Sequence, residues 1–181
     1  EGPLQTIDRA TSRLVVLGWM DAGTRNVYAA KPVTKPADLK GMKIRMMGNP
    51  IFVETMNAMG GNGVAMGFNE LYSALQTGVV DGTENPMSNL YTQKMHEVQK
   101  HLTITDHGYL GYAVIVNKKF WDGLPADIRK QLDEAMLQAT RYANQIARVE
   151  NDNALAAIKA SGKTTVYVPT KEERGAFKKV L

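Results

Sequence analysis

Between Pro125 and Gly162 the sequence carries one helical pattern of unusual length. Ile128, Leu132, Ala135 with Met136, Ala139, Tyr142 with Ala143, Ile146 and Val149 recur at helical spacing and form one apolar stripe. The spacing predicts a single helix from about Ala126 to about Ala160, closed by Ser161-Gly162. Helices of compact domains average about three turns. A helix this long is out of proportion to one small lobe, and the pattern points to a helix that spans two.

The remaining chain alternates short strand and helix signals. The stretch FNELYSALQTGVVDGTENPMSNL, Phe68–Leu90, is the most informative. Leu71, Ala74 and Leu75 have helical spacing, Asn69 is placed as a cap, and Gly78 is placed to stop the helix. Val79-Val80 reads as a short buried strand closed by Asp81-Gly82, and Pro86 as the first residue of the next helix. Asn85 therefore falls where a strand gives way to a helix, the edge at which open α/β sheets bind ligands.

Upstream, residues 4–13 read as the end of a helix, Leu14–Gly18 as a buried strand, Asp21–Arg25 as a turn and Asn26–Ala30 as a strand. Met42–Met46 reads as a strand ending in Gly48-Asn49-Pro50, a good helix start. That helix, Ile51–Met59, stops at Gly60-Gly61, and Val64–Met66 is a further strand. Downstream, Leu90–Gln99 reads as helix. Leu102–Thr105 and Leu110–Val116 read as strands separated by a turn at Asp106–Gly108. Asn117–Pro125 is a loop with an aromatic plug, Thr164–Val168 a strand, and Thr170–Glu173 a capping box opening a last helix. The alternation argues an α/β fold with a largely parallel sheet.

Composition narrows the chemistry. The 181 residues include no cysteine, which removes disulfides, thiolate metal sites and cysteine nucleophiles. The net charge of +4 comes from basic residues interleaved with acidic ones, a solvated surface and not a nucleic-acid stripe. The longest apolar run, Leu14–Met20, is too short to span a bilayer, and the opening residues have neither the basic start nor the apolar core of a signal peptide. Nucleotide loops and GxSxG are absent. Gly61, Gly63 and Gly67 follow a helix and precede a strand, the wrong order for a dinucleotide loop. His96 and His101 are five apart, where a shared helical face needs four, and read as surface histidines without a metal. Asp106 beside His107 is a candidate acid–base pair in a turn. Arg25 and Arg45 stand at strand ends, where a guanidinium fork matches a carboxylate. Taken alone, each arginine reads as a surface ion-pair member, Asn85 as a cap, and Phe68 and Trp19 as core.

Taken together, the segments GTR (Gly23–Arg25), KPVTKPADLKGMKIRMM (Lys31–Met47), FNELYSALQTGVVDGTENP (Phe68–Pro86) and YLGYAVIVNKKFWDGLP (Tyr109–Pro125) resemble the solute-binding proteins of TRAP (tripartite ATP-independent periplasmic) transporters. The resemblance covers nearly the whole chain in register. It implies a two-lobed periplasmic binding protein fold, here partial: α/β lobes of mixed sheet flanked by helices, a cleft between them and a long spanning helix. It also implies a parent chain with further residues before Glu1, carrying a signal peptide, and a shorter piece after Leu181. Residues 1–22 and 110–145 would then belong to the first lobe, and 23–109 and 146–181 to the second, ligand-anchoring lobe.

The resemblance further implies a carboxylate salt bridge from Arg45, help from Arg25, a hydrogen bond from Asn85 and aromatic packing by Phe68. Asn49 and Trp19 are expected near the ligand. Some relatives that bind sugar acids carry a second asparagine where this chain has Pro86. The implied function is periplasmic capture of a small organic acid, a sugar acid, C4-dicarboxylate or keto acid, for delivery to the membrane subunits of a TRAP transporter. No cofactor, metal, nucleic acid or catalysis is expected. The alternatives are a ligand-sensing regulatory domain and an enzyme using His107 or Asp106 on a related scaffold.

Overall fold

The structure, a computed structural model, describes residues 13–181. The helical reading of residues 4–13 lies outside them except for Arg13, which stands in a turn. In order, the elements are β1 (Leu14–Ala29), β2 (Lys43–Met46), α1 (Pro50–Ala58), β3 (Asn62–Ala65), α2 (Leu71–Gln76), β4 (Gly82–Asn85), α3 (Met87–Thr92), β5 (His101–Asn117), α4 (Lys118–Asp122), α5 (Ala126–Ala160), β6 (Thr165–Tyr167) and α6 (Lys171–Lys179). The strands form one mixed sheet in the order β3-β2-β4-β1-β5-β6. The β2–β3, β2–β4 and β5–β6 pairs are parallel, but β1 runs antiparallel to β4, so the sheet is less uniformly parallel than the alternation suggests.

Contacts divide the described residues into two compact units: 24–110 with 150–181, and 13–23 with 111–149. In the larger unit, strand alternation sends successive side chains to opposite faces of the sheet. Val27, Ala29, Ile44 and Met46 face a core closed by Met56 and Phe177. Tyr28 faces the other, closed by Leu71, Leu75, Leu90 and Ile158. In the smaller unit, Asn144 ties α5 to β1: its side-chain oxygen accepts from the Asp21 amide (2.7 Å) and its Nδ2 donates to the Trp19 carbonyl (3.0 Å). Gly18 is needed for this packing, because a Cβ there would lie 2.4 Å from Thr140 Oγ1.

Several local expectations are overturned. Asp21–Arg25 is not a turn, and Asp106–Gly108 does not split a hairpin. Each lies within a long strand that runs through both units, β1 of 16 residues and β5 of 17. The turn-forming residues are absorbed as kinks, with Gly23 at φ 109° and Asp106 at φ 44°. The strand expected at Val79-Val80 begins at Gly82 instead, and Val79 is exposed. β4 reads GTEN, and polar residues concealed a fully buried strand. Gly82 is required there, since a Cβ would meet the Tyr28 carbonyl oxygen at 2.6 Å.

Asn69 is not a cap, because Phe68–Glu70 is already a 3-10 turn leading straight into α2. Pro86 precedes α3 as its N-cap instead of opening it. The helix expected over Leu90–Gln99 breaks at Lys94, which has a left-handed backbone, and resumes as a 3-10 turn at Met95–Glu97. That turn carries His96 into the interior, so it is no surface histidine. The loop 117–125 contains α4, capped by Asn117, with Trp121 buried.

Local capping chemistry explains what stays where it was expected. Asn49 accepts from the Ile51 amide at 2.9 Å and Pro50 opens α1. Thr170 and Glu173 cap α6 reciprocally. Gly78 ends α2 at φ 74°, with the Val79 amide on the Ala74 carbonyl and the Gly78 amide on the Leu75 carbonyl, a Schellman motif. The long helix α5 covers Ala126–Ala160.

Candidate functional site

The candidate residues of the larger unit gather where β2 and β4 end, and register decides which of them share a face. Arg45 pairs with Thr83 across the parallel β2–β4 ladder. Asn85 follows Thr83 by two, and Asn26 stands opposite Asn85 across β1. Arg45, Asn85 and Asn26 therefore project to one face. Glu84 stands opposite Val27, and Arg25 precedes Val27 by two, so Arg25 and Glu84 share the other.

Arg45 is buried at the inner wall of an open pocket of about 470 Å³, lined also by Met47, Gly48, Ala65, Met66, Gly67 and Phe68. Its Nε donates to the Met66 carbonyl at 2.9 Å, and the Phe68 ring lies 5.4 Å from its Cζ, within cation–π range. Its Nη1 is buried with no hydrogen-bond partner. Burial pulls its pKa below the ordinary guanidinium value, and the positive charge of Arg25 adds to this while Glu84 opposes it. Asn85, also buried, accepts from Asn89 Nδ2 at 3.2 Å through its side-chain oxygen, while its own Nδ2 is without a partner. Two buried donors at one strand edge are thus open, an arrangement folding does not favour and an oxygen-rich ligand satisfies.

Arg25 is in a different state. Its Nε and Nη2 both donate to the Glu84 carboxylate, a bidentate fork, and the guanidinium lies 4.3 Å from the centre of the Phe52 ring. Arg25 is 1% exposed and Glu84 0%. Only Nη1 is spared this pairing, and it meets the Met47 sulfur at 3.4 Å. Glu84 also faces His107 Nε2 at 3.3 Å, and His107 Nδ1 bonds Thr105 Oγ1 at 2.7 Å.

The candidate acid–base pair does not form. His107 is buried against Glu84, while Asp106 accepts from Thr24 Oγ1 at 2.8 Å and from Arg174 Nη1 at 2.9 Å. Asn49 spends its side-chain oxygen on capping α1. Trp19 belongs to the smaller unit and is 39% exposed on β1. Among the described residues, no cluster of histidine and carboxylates is placed to hold a metal, and no helix is long and apolar enough to cross a membrane. Sequence reasoning missed Glu84 and Met47. Their signal, an acid next to Asn85 and a thioether two residues past Arg45, acquires meaning only when strand register is known.

The mixed α/β fold thus carries a buried, partly unpaired arginine at a strand edge. Residues 4–181 match the model of DctP, bacterial extracellular solute-binding protein family 7, and the chain belongs to that family. It is 54% identical over 165 residues to the C4-dicarboxylate-binding periplasmic protein DctP of Rhodobacter capsulatus, covering 91% of this chain and 50% of the relative. Among solved structures it resembles a TRAP periplasmic solute-binding protein from Shewanella oneidensis with bound succinate (TM-score 0.93, 34% identity, 98% of this chain and 57% of that one). It also resembles one from Pseudomonas aeruginosa with bound L-malate (TM-score 0.92, 28% identity, 97% and 62%). The chain spans about half the length of the curated relatives it matches.

Proposed function

We propose that this chain is the ligand-anchoring part of a periplasmic solute-binding protein that captures a small organic acid for the membrane subunits of a TRAP transporter. C4-dicarboxylates head the candidate ligands, since the Rhodobacter capsulatus relative is named for them. Sugar acids and keto acids share the carboxylate anchor. The observation that carries the reading is the open Nη1 of buried Arg45 on the same sheet face as the open Nδ2 of Asn85. A guanidinium held in place by Met66 and Phe68 offers a rigid donor to a carboxylate, and a charge-assisted hydrogen bond satisfies it. The reading places 23–109 and 146–181 in the anchoring lobe, and 1–22 and 110–145 in its counterpart. Arg45, Asn85 and Phe68 hold the ligand, with Arg25 behind them and Asn49 and Trp19 at the periphery. Binding and release, without turnover, are the whole chemistry.

A thermal-shift screen of the intact protein against organic acids tests this, with Arg45→Ala alongside. Ligand binding to the native state raises Tm by mass action. A hit abolished in Arg45→Ala supports the anchor; the same hit at undiminished affinity moves the anchor elsewhere.

A further inference from the structure

The two arginines differ in what they have left to offer. Among the described residues Arg45 has no bonded counter-ion, and it has a buried open donor. Arg25 is neutralised by Glu84, which takes its Nε and Nη2, and only Nη1 remains. That nitrogen faces not an oxygen but the thioether of Met47 at 3.4 Å, and a thioether is a weak acceptor. Met47 is half-buried and lies just past the end of β2. It lines the same pocket as Arg45. Met47 thus touches both the pocket and the spare donor of Arg25 at the strand ends, and methionine, unbranched and with several rotatable bonds, is suited to swing aside.

We propose that Met47 is a specificity-determining residue: its sulfur caps Arg25 Nη1 in the empty site and yields that donor to a hydroxyl or keto oxygen on the carbon next to the carboxylate held by Arg45. This inference rests on the anchor reading above. Charge distribution sets the ligand class. The Arg25–Glu84 pair is neutral as a whole, so Nη1 acts as a directional donor without net charge to offset. A neutral oxygen suits it, whereas a second carboxylate would sit close to the carboxylate of Glu84. Arg45 supplies the single positive charge that one carboxylate requires. The site thus favours 2-hydroxy and 2-oxo acids over their unsubstituted counterparts. Exchanging a weak N–H···S contact for an N–H···O bond from Nη1 provides the preference.

L-Malate and succinate differ by one such hydroxyl and are the probes. Calorimetric affinities of the intact protein are measured for both, in wild type, Met47→Leu, Met47→Gln and Arg45→Ala. Wild type is expected to bind L-malate more tightly than succinate. Met47→Leu removes the sulfur at nearly constant volume, and should keep or widen that ratio. Met47→Gln places a strong amide acceptor on Nη1, and should weaken L-malate roughly tenfold or more while succinate changes much less. A malate-to-succinate ratio unchanged in both Met47 variants, with Arg45→Ala losing both ligands, overturns the role of Met47 and leaves the anchor standing. Undiminished binding in Arg45→Ala, or no binding of either acid by wild type, removes the anchor reading and this inference with it.

Discussion

Glu84 holds Arg25 through both carboxylate oxygens in a pair shielded from water on all sides. The pairing divides the labour between the two arginines of the strand edge. Arg25 spends Nε and Nη2 in the interior, and Arg45 keeps an open donor.

Replacing Glu84 by Gln should therefore act on stability before it acts on binding. It leaves the guanidinium of Arg25 buried without its counter-charge, and breaking a buried pair from one side costs about 3–5 kcal/mol. Urea unfolding of the variant measures this. A loss within a few tenths of a kcal/mol would mean that water compensates the buried guanidinium.

Arg45 should show the opposite balance. Arg45→Ala is expected to weaken ligand affinity by about 2–5 kcal/mol, the range for truncating one partner of a buried charge pair. Arg45→Lys should also weaken it, because the planar fork is lost. In the ligand-free protein, Arg45→Met should melt no lower than wild type, since it removes a buried charge with an open donor. Calorimetry and thermal melting of the same preparations separate the two effects.

The alkaline limb of stability should carry a contribution from Tyr28. Burial pushes its phenol up from 10.0 to about 12, and its hydroxyl pairs with Thr164 at 2.9 Å. The folded state thus keeps a proton that the unfolded state loses. The contribution is whole below pH 10 and declines as pH rises from 10 to about 12, by on the order of 2 kcal/mol in total. Unfolding free energies at pH 8.5 to 11.5 should fall less steeply in Tyr28→Phe than in wild type; equal slopes would assign the decline to other groups.

Gly78→Ala tests the stop of α2. No atom lies within 4 Å of the added Cβ, so the cost is backbone alone. Holding alanine at φ 74° should destabilise by about 1 kcal/mol. A thermal melt reads this directly, and an unchanged Tm would show that the left-handed residue can be replaced without strain.

Much of the helical content was legible because its causes are local. The stripe from Ile128 to Val149 fixed α5, the pair Asn49-Pro50 fixed the start of α1, and Thr170 with Glu173 fixed α6. The errors fell where local chemistry competes with the sheet. Asp21–Arg25 and Asp106–Gly108 have turn composition, yet β1 and β5 pass through both segments because pairing with neighbouring strands outweighs it. GTEN lacks every strand-forming signal except Thr83 and lies between β2 and β1, buried throughout.

The sequence by itself determined the start of α1, the stop of α2, the span of α5 and the cap of α6, and which residue types were available to meet an anion, because caps, glycine stops and side-chain periodicity act over a few residues. Only the tertiary structure decided their states. The register of β1, β2 and β4 places Glu84 on Arg25, and leaves Arg45 and Asn85 with open donors on the other face. Arg25 and Glu84 stand 59 residues apart, and whether two charges so distant in sequence meet is set by strand pairing, which no local pattern contains.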